Sequence, residues 1–361
     1  MFQFVGHVSR LCRQTAMFVM GLPTRLFKPI VLWLAFPLAF SLAPPLALPL
    51  RIALFLLCFA PVATYASQLT FNKTVTPDDI QFKYRWLDRE GIEQTIAFSL
   101  PNSALKVAPT TQANYKPEIA QRYVTVSLLK EAKKVDPREA VVSVSHENDA
   151  INIKVKSTKP NKADQILSRL KDVQRTAYTD YLDKHYYTRF TTLFNQQAVK
   201  PDHLRYVAQT FESLRPISEA FYDKVGRFEN NRAYLQLLLS WVQSIPYDTL
   251  EDRVASNGSG FAPPLGLLMQ NRGDCDSKAV LTGALVRAFL PSTSIIMVFL
   301  PHHALLGVAI NAISEDEKLE VEGKTYVLFD PTGPALIPFG DISEDTKRYI
   351  STGRYQVEHI E

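Results

Sequence analysis

A cysteine directly after a helix-capping aspartate is the feature that most restricts how this chain can fold. Asn271 to Leu290 reads N-R-G-D-C-D-S-K-A-V-L-T-G-A-L-V-R-A-F-L. Gly273 interrupts whatever precedes it, Asp274 is suited to cap a helix, and Cys275 falls on the first turn. Val280, Ala284, Val286 and Leu290 then supply an apolar stripe for packing. A thiol at that place faces backbone N–H groups and the positive end of the helix dipole. Both favour thiolate, the nucleophilic form. The competing reading is a small, buried, inert thiol.

Around that stretch, 361 residues leave room for one large domain or two ordinary ones. The formal charge of +4 is concentrated at one end: residues 1–66 hold Arg10, Arg13, Arg25, Lys28 and Arg51 and no acidic residue. Residues 67–361 are close to neutral, so nucleic acid is not an expected partner. Cys12 and Cys58 also lie in the N-terminal region, and Cys275 stands alone in the rest. A lone cysteine makes no internal disulfide. With no zinc-type cysteine cluster, HExxH pattern or calcium-loop spacing either, no metal or cofactor is expected.

Two apolar runs occupy the N-terminal region, Pro29–Leu50 and Ile52–Ala66. The second, after Arg51, has the anatomy of a secretory signal, with Thr64 and Ala66 as the small residues before a cut at Ser67. Leu57 is too large to precede a lipid-modified Cys58. The first run is long enough to span a bilayer, but Pro29, Pro37, Pro44, Pro45 and Pro49 interrupt it. Residues 1–66 are therefore expected to be a signal peptide or a membrane anchor over 29–66. Either places the remainder in the periplasm or another extracytoplasmic space.

From Ser67 the expected organisation is a small α+β domain over 67–160. Phe82, Tyr84 and Trp86 alternate with polar residues, D-R-E-G turns the chain, and Ile96, Phe98 and Leu100 alternate again. Ile119, Tyr123, Val126 and Leu129 predict a helix opened by Pro117. Val142–Val144 and Ile151–Val155 predict a second hairpin, with His146 in its turn. Ser157 to Lys162 is the expected linker. Helices are then expected along Ile166–Tyr181, along Leu204–Leu214 up to Pro216, and along Leu235–Val242 up to Pro246, with a loop over 257–264. The tyrosine run at 178–187 and His185 are expected to pack rather than to bind a ligand.

The chemistry lies further on. After the Cys275 helix comes an apolar strand, S-I-I-M-V-F-L, then Pro301-His302-His303-Ala304, then a strand ending at Asp330 in F-D-P-T-G-P. A thiol needs a base, and an imidazole needs a third group to fix its tautomer. Strand alternation would send His302 and His303 to opposite faces, so one of them can serve. Asp330 has a rival role, since D-P-T-G is also an ordinary turn.

The blocks G-D-C-D-S-K-A, H-A and F-D-P-T resemble the transglutaminase-like branch of the papain-type cysteine hydrolases, whose pattern is G-x-C-x-[DE]-[FY]-A, then H-A-W, then D-P-[TS]. Gly273, Cys275 and Ala279 match the first block, His303 and Ala304 the second, and Asp330, Pro331 and Thr332 the third. The likeness spans about residues 230–335. Ser277, Lys278 and Leu305 depart from the pattern. The resemblance implies an α+β fold over 161–361, with a helix-borne cysteine packed on an antiparallel sheet carrying the histidine and aspartate. It implies catalytic roles for Cys275, His303 and Asp330, and thiolate attack on an amide of a peptide or protein substrate. Water would resolve the thioester in a peptidase or amidase, and an amine in a crosslinking transferase. A non-catalytic binding or assembly protein would keep the fold alone. The oxyanion would be held by the Cys275 N–H, with Gln270 or Asn271 as a side-chain donor. Asp274 and Asp276 are expected to point away from the thiolate, and Lys278 to be solvated. Nothing in the sequence bears on oligomeric state.

Overall fold

The computed structural model describes residues 67–147, 150–226, 230–252 and 259–361. The signal-peptide, anchor and cleavage readings of residues 1–66 lie outside them. No helix among the described residues is long and apolar enough to cross a membrane.

The described part begins with a three-stranded antiparallel sheet, β1 (Ser67–Val75), β2 (Asp79–Leu87) and β3 (Glu93–Pro101). The alternation read from the sequence sets its register, with Phe82 opposite Phe98 and Tyr84 opposite Ile96. Asp88 closes the D-R-E-G turn by accepting the Ile92 N–H on its side chain.

Helix α1 (Pro117–Ala132), the hairpin β4 (Val141–Glu147) with β5 (Ala150–Lys156), and helix α2 (Pro160–Lys184) come next. Three departures from the sequence reading occur here. His146 lies within β4, its Nε2 3.2 Å from Thr125 Oγ1. Pro160 is the first residue of α2 rather than part of a linker, because a proline at the first helical position loses no hydrogen bond. The buried stripe of α1 is Ala120, Val124 and Leu128; the expected stripe of Ile119, Tyr123, Val126 and Leu129 faces outward. Residues Ile166, Leu170 and Ala177 of α2 cluster with Val124 and Leu128, while Ala120 clusters with Tyr181 and Leu182. The tyrosines do pack: Tyr181 and Tyr187 are buried, and the Tyr115 and Tyr178 hydroxyls lie 2.7 Å apart.

A short hairpin, β6 (Tyr187–Thr191) with β7 (Gln197–Pro201), leads into helices α3 (His203–Thr210), α4 (Arg215–Val225), α5 (Asn231–Ser244), α6 (Pro264–Gln270) and α7 (Cys275–Phe289). Pro216 sits in the first turn of α4, where the sequence suggested a helix end, and Pro264 opens α6 where a loop was expected. Strands β8 (Ile295–Leu300), β9 (His303–Val308), β10 (Lys318–Val321), β11 (Lys324–Phe329) and, after helix α8 (Glu344–Ser351), β12 (Gln356–Ile360) form an antiparallel sheet ordered β10-β11-β9-β8-β12. The molecule is thus α+β with antiparallel sheets.

Both faces of that sheet are covered, which explains the unbroken apolar run of β8. Ile295 and Met297 join the main core beneath α7, while Ile296 and Val298 join a second cluster reached by Tyr349 and Ile350 of α8. Helix α7 is the centre of the main core. Ala279, Val280, Leu281, Ala284, Leu285 and Val286 are all fully buried, so the helix is covered on every side. Packing does not divide at residue 160. Ile80, Tyr84 and Trp86 of the first sheet share one core with α4, α5 and α7, and the described residues fall in one compact unit. The Trp86 indole donates to Ser240 Oγ at 3.0 Å, and Tyr84 meets Trp241 edge-on at 5.2 Å.

Candidate functional site

Cys275 is the first residue of α7, 8% exposed. Asp274 caps the helix as its sequence position suggests, accepting the Ser277 N–H at 2.9 Å and the Ser277 hydroxyl. Ser277 Oγ in turn accepts the Ala262 N–H at 2.7 Å and so links the start of α7 to the segment leading into α6. Gly273 has no room for a side chain. A Cβ there would lie 2.7 Å from Leu267 Cδ1, and its backbone pairs with Pro246 and Asp248 on the chain leaving α5.

His303 opens β9, and Asp330 comes directly after the last residue of β11 on the neighbouring strand. His303 Nε2 lies 2.7 Å from Asp330 Oδ2. Asp330 makes two contacts: Oδ1 accepts the Thr332 N–H at 2.9 Å while Oδ2 meets the imidazole. Burial works to raise the Asp330 pKa. The charge and hydrogen bond of His303 and the bonds from Thr332 outweigh it, so the group stays below the ordinary carboxylate value. An ionised Asp330 accepts, so Nε2 carries the proton and Nδ1 holds the lone pair. His302 stays in the turn before β9.

Two expectations beside the thiol are corrected. Asp276 does not turn away: the Cys275 thiol donates to its Oδ1 at 3.5 Å, and its Oδ2 lies 3.8 Å from His203 Nε2. Burial raises the Asp276 pKa, opposed by the charges of Lys200 and His303 and by the Cys275 hydrogen bond. The repulsion that would drive Asp276 from a thiolate is thereby weakened. Lys278 is not solvated. It is fully buried, and its Nζ donates to Ile245 O and Thr332 O at 2.5 Å each. Burial lowers its pKa to about 7, with Asp330, Asp274 and Cys275 pulling the other way.

The expected side-chain donors for an oxyanion fare differently. Asn271 ends α6 in the left-handed region, and its amide pairs reciprocally with Gln68 of β1, donating at 2.6 Å and accepting at 3.1 Å. That donor is spent on holding β1 in place. Gln270 is exposed at the last residue of α6.

Three polar residues escaped the sequence reading. Gln243 is buried on α5 and donates to Asp330 O at 2.8 Å and Ile337 O at 2.9 Å, steadying the aspartate turn from behind. His203 is buried between Phe261 and Phe299, with ring centroids at 4.9 and 5.6 Å. Burial, then the charge of Lys200, holds its pKa well below the usual value. Gln68 is the third. Each meets partners remote in sequence, so no local spacing announces it. Among the described residues, no three His, Cys, Asp or Glu side chains gather as a metal site.

The arrangement brings an imidazole oriented by a carboxylate onto the sheet that α7 packs against. Asp276, which touches the sulfur, senses the charge of His303, and Lys278 senses both Asp330 and Cys275. Thiol, imidazole and carboxylate therefore share one electrostatic neighbourhood. The chain matches no family model, no curated protein and no solved structure.

Proposed function

We propose that this chain is an exported cysteine hydrolase of the transglutaminase-like, papain-type kind, acting on amide bonds of a peptide or protein. The observation that carries the reading is the 2.7 Å contact between His303 at the start of β9 and Asp330 directly after β11, in the sheet beside the helix whose first residue is Cys275. In this mechanism Nδ1 of His303 takes the thiol proton. The thiolate attacks the amide carbonyl, forming a C–S bond and an oxyanion held by the Cys275 N–H. Collapse of the adduct breaks the C–N bond, and the imidazolium protonates the departing amine. His303 then deprotonates water, which attacks the thioester, releasing the acid and restoring the thiol. An amine in place of water would give a crosslinked product by the same acyl-enzyme.

A second reading, a binding protein with an unreactive thiol, draws on Asp276. A carboxylate accepting from the sulfur favours thiol over thiolate. Alkylation by iodoacetamide at about pH 6 separates the two. The hydrolase should react at least ~10-fold faster than a free thiol, and His303→Ala should abolish the excess. Equal rates in wild type and His303→Ala would refute the catalytic reading. Incorporation of a tagged amine into a protein acceptor would show transfer in place of hydrolysis.

A further inference from the structure

Lys278 lies three residues beyond Cys275 on α7, close to one helical turn, and no part of it reaches solvent. Its two bonded carbonyls belong to different segments. Ile245 ends α5, and Thr332 lies two residues past Asp330, in the turn whose N–H is held by the Asp330 carboxylate. The ammonium thus joins three pieces of chain: the end of α5, the helix bearing the thiol, and the turn bearing the aspartate. The groups whose charges act on it are Asp330 after β11, and Asp274 and Cys275 at the start of α7. A lysine is costly to bury, and an apolar side chain of the same length would spare that cost. It would also leave the carbonyl oxygens of Ile245, which is buried, and Thr332, which is half-buried, without this donor.

We propose that Lys278 is a positioning residue that clamps the Asp330 turn onto the nucleophile helix and sets a positive charge behind the Cys275 thiolate. This rests on the Cys275–His303–Asp330 reading and adds a fourth member that the family pattern does not contain. A neighbouring cation favours the ionised thiol, and by reciprocity the ionised thiol favours the ammonium. The fall in the Lys278 pKa to about 7 agrees with a charge held at some expense.

The test is the pH dependence of Cys275 alkylation by iodoacetamide in the full chain, for wild type, Lys278→Met and Lys278→Gln. Both variants should move the alkylation midpoint upward by about one pH unit. Lys278→Gln, which keeps an N–H donor, should retain more of the thermal stability. A lysine with only a structural role would change stability and leave the midpoint in place, and that result overturns the proposal. Should neither variant fold, the NMR titration of Lys278 in Cys275→Ser decides. Loss of the thiolate should lower the lysine pKa, and an unchanged titration refutes the coupling. His303→Ala is run alongside. If it leaves the wild-type rate intact, the hydrolase reading fails. If His303 matters and the midpoint stays fixed in the lysine variants, only the role of Lys278 fails.

Discussion

His203 shows how one side chain can tie stability to acidity. Its ring is enclosed by Phe261 and Phe299, and burial together with Lys200 keeps it neutral in the folded protein. In the unfolded chain it takes up a proton below about pH 6.5. With the folded pKa depressed, the unfolded state binds the extra proton, and stability falls as pH drops through that range. The limiting slope is about 1.4 kcal/mol per pH unit for one such group. His203→Phe should remove it. Urea unfolding at about pH 7 and pH 5 should therefore show a smaller acid loss in the variant than in the wild type. Equal losses would mean that His203 titrates normally in the fold. The same scale explains what the sequence could reveal. Cys275, His303 and Asp330 sit in short blocks whose residue types stand out along the chain, and His303 and Asp330 do meet. Lys278 and Gln243 owe their importance to Thr332 and Asp330, which lie far along the chain.

Helix α1 makes the corresponding point for elements. Its sequence carries two apolar stripes at helical spacing, and periodicity alone cannot say which faces inward. The partner decides: α2 and the hairpin accept Val124 and Leu128, and Ala120 packs with Tyr181 and Leu182 of α2, leaving Ile119 51% and Val126 46% exposed. Leu128→Ala should cost about 2–5 kcal/mol in denaturant unfolding. Val126→Ser should cost within about 0.5 kcal/mol. Comparable losses would show that the outer stripe is covered after all. Hairpin β2–β3 was easier to read, because an alternating strand with one buried face has a single register that buries Phe82, Tyr84, Trp86, Ile96 and Phe98 together. Pro160, Pro216 and Pro264 all lie in the first turn of a helix. A proline marks a helix boundary without saying on which side the helix lies.

At the scale of the whole molecule, the first sheet is part of the frame that holds the site. Trp86 bonds to Ser240 on α5, while Gln68 pairs with Asn271 just ahead of α7. The S-T-K-P-N-K stretch at 157–162 suggests a boundary near residue 160, yet the first sheet covers its apolar face with α4 and α5 from beyond it.

The encirclement of α7 has a consequence measured in time. Its fully buried residues, Ala279 to Leu281 and Ala284 to Val286, touch elements drawn from most of the fold, so the helix has no local way to open. Its amides should exchange with deuterium only through global unfolding, with protection equal to the full stability of the protein. The outer amides of α1 should exchange sooner. Faster exchange across Val280–Val286 than in β8 would contradict this. If it holds, the thiol is mounted on the slowest-opening part of the molecule, and any motion needed to admit a substrate belongs to the segments around α7.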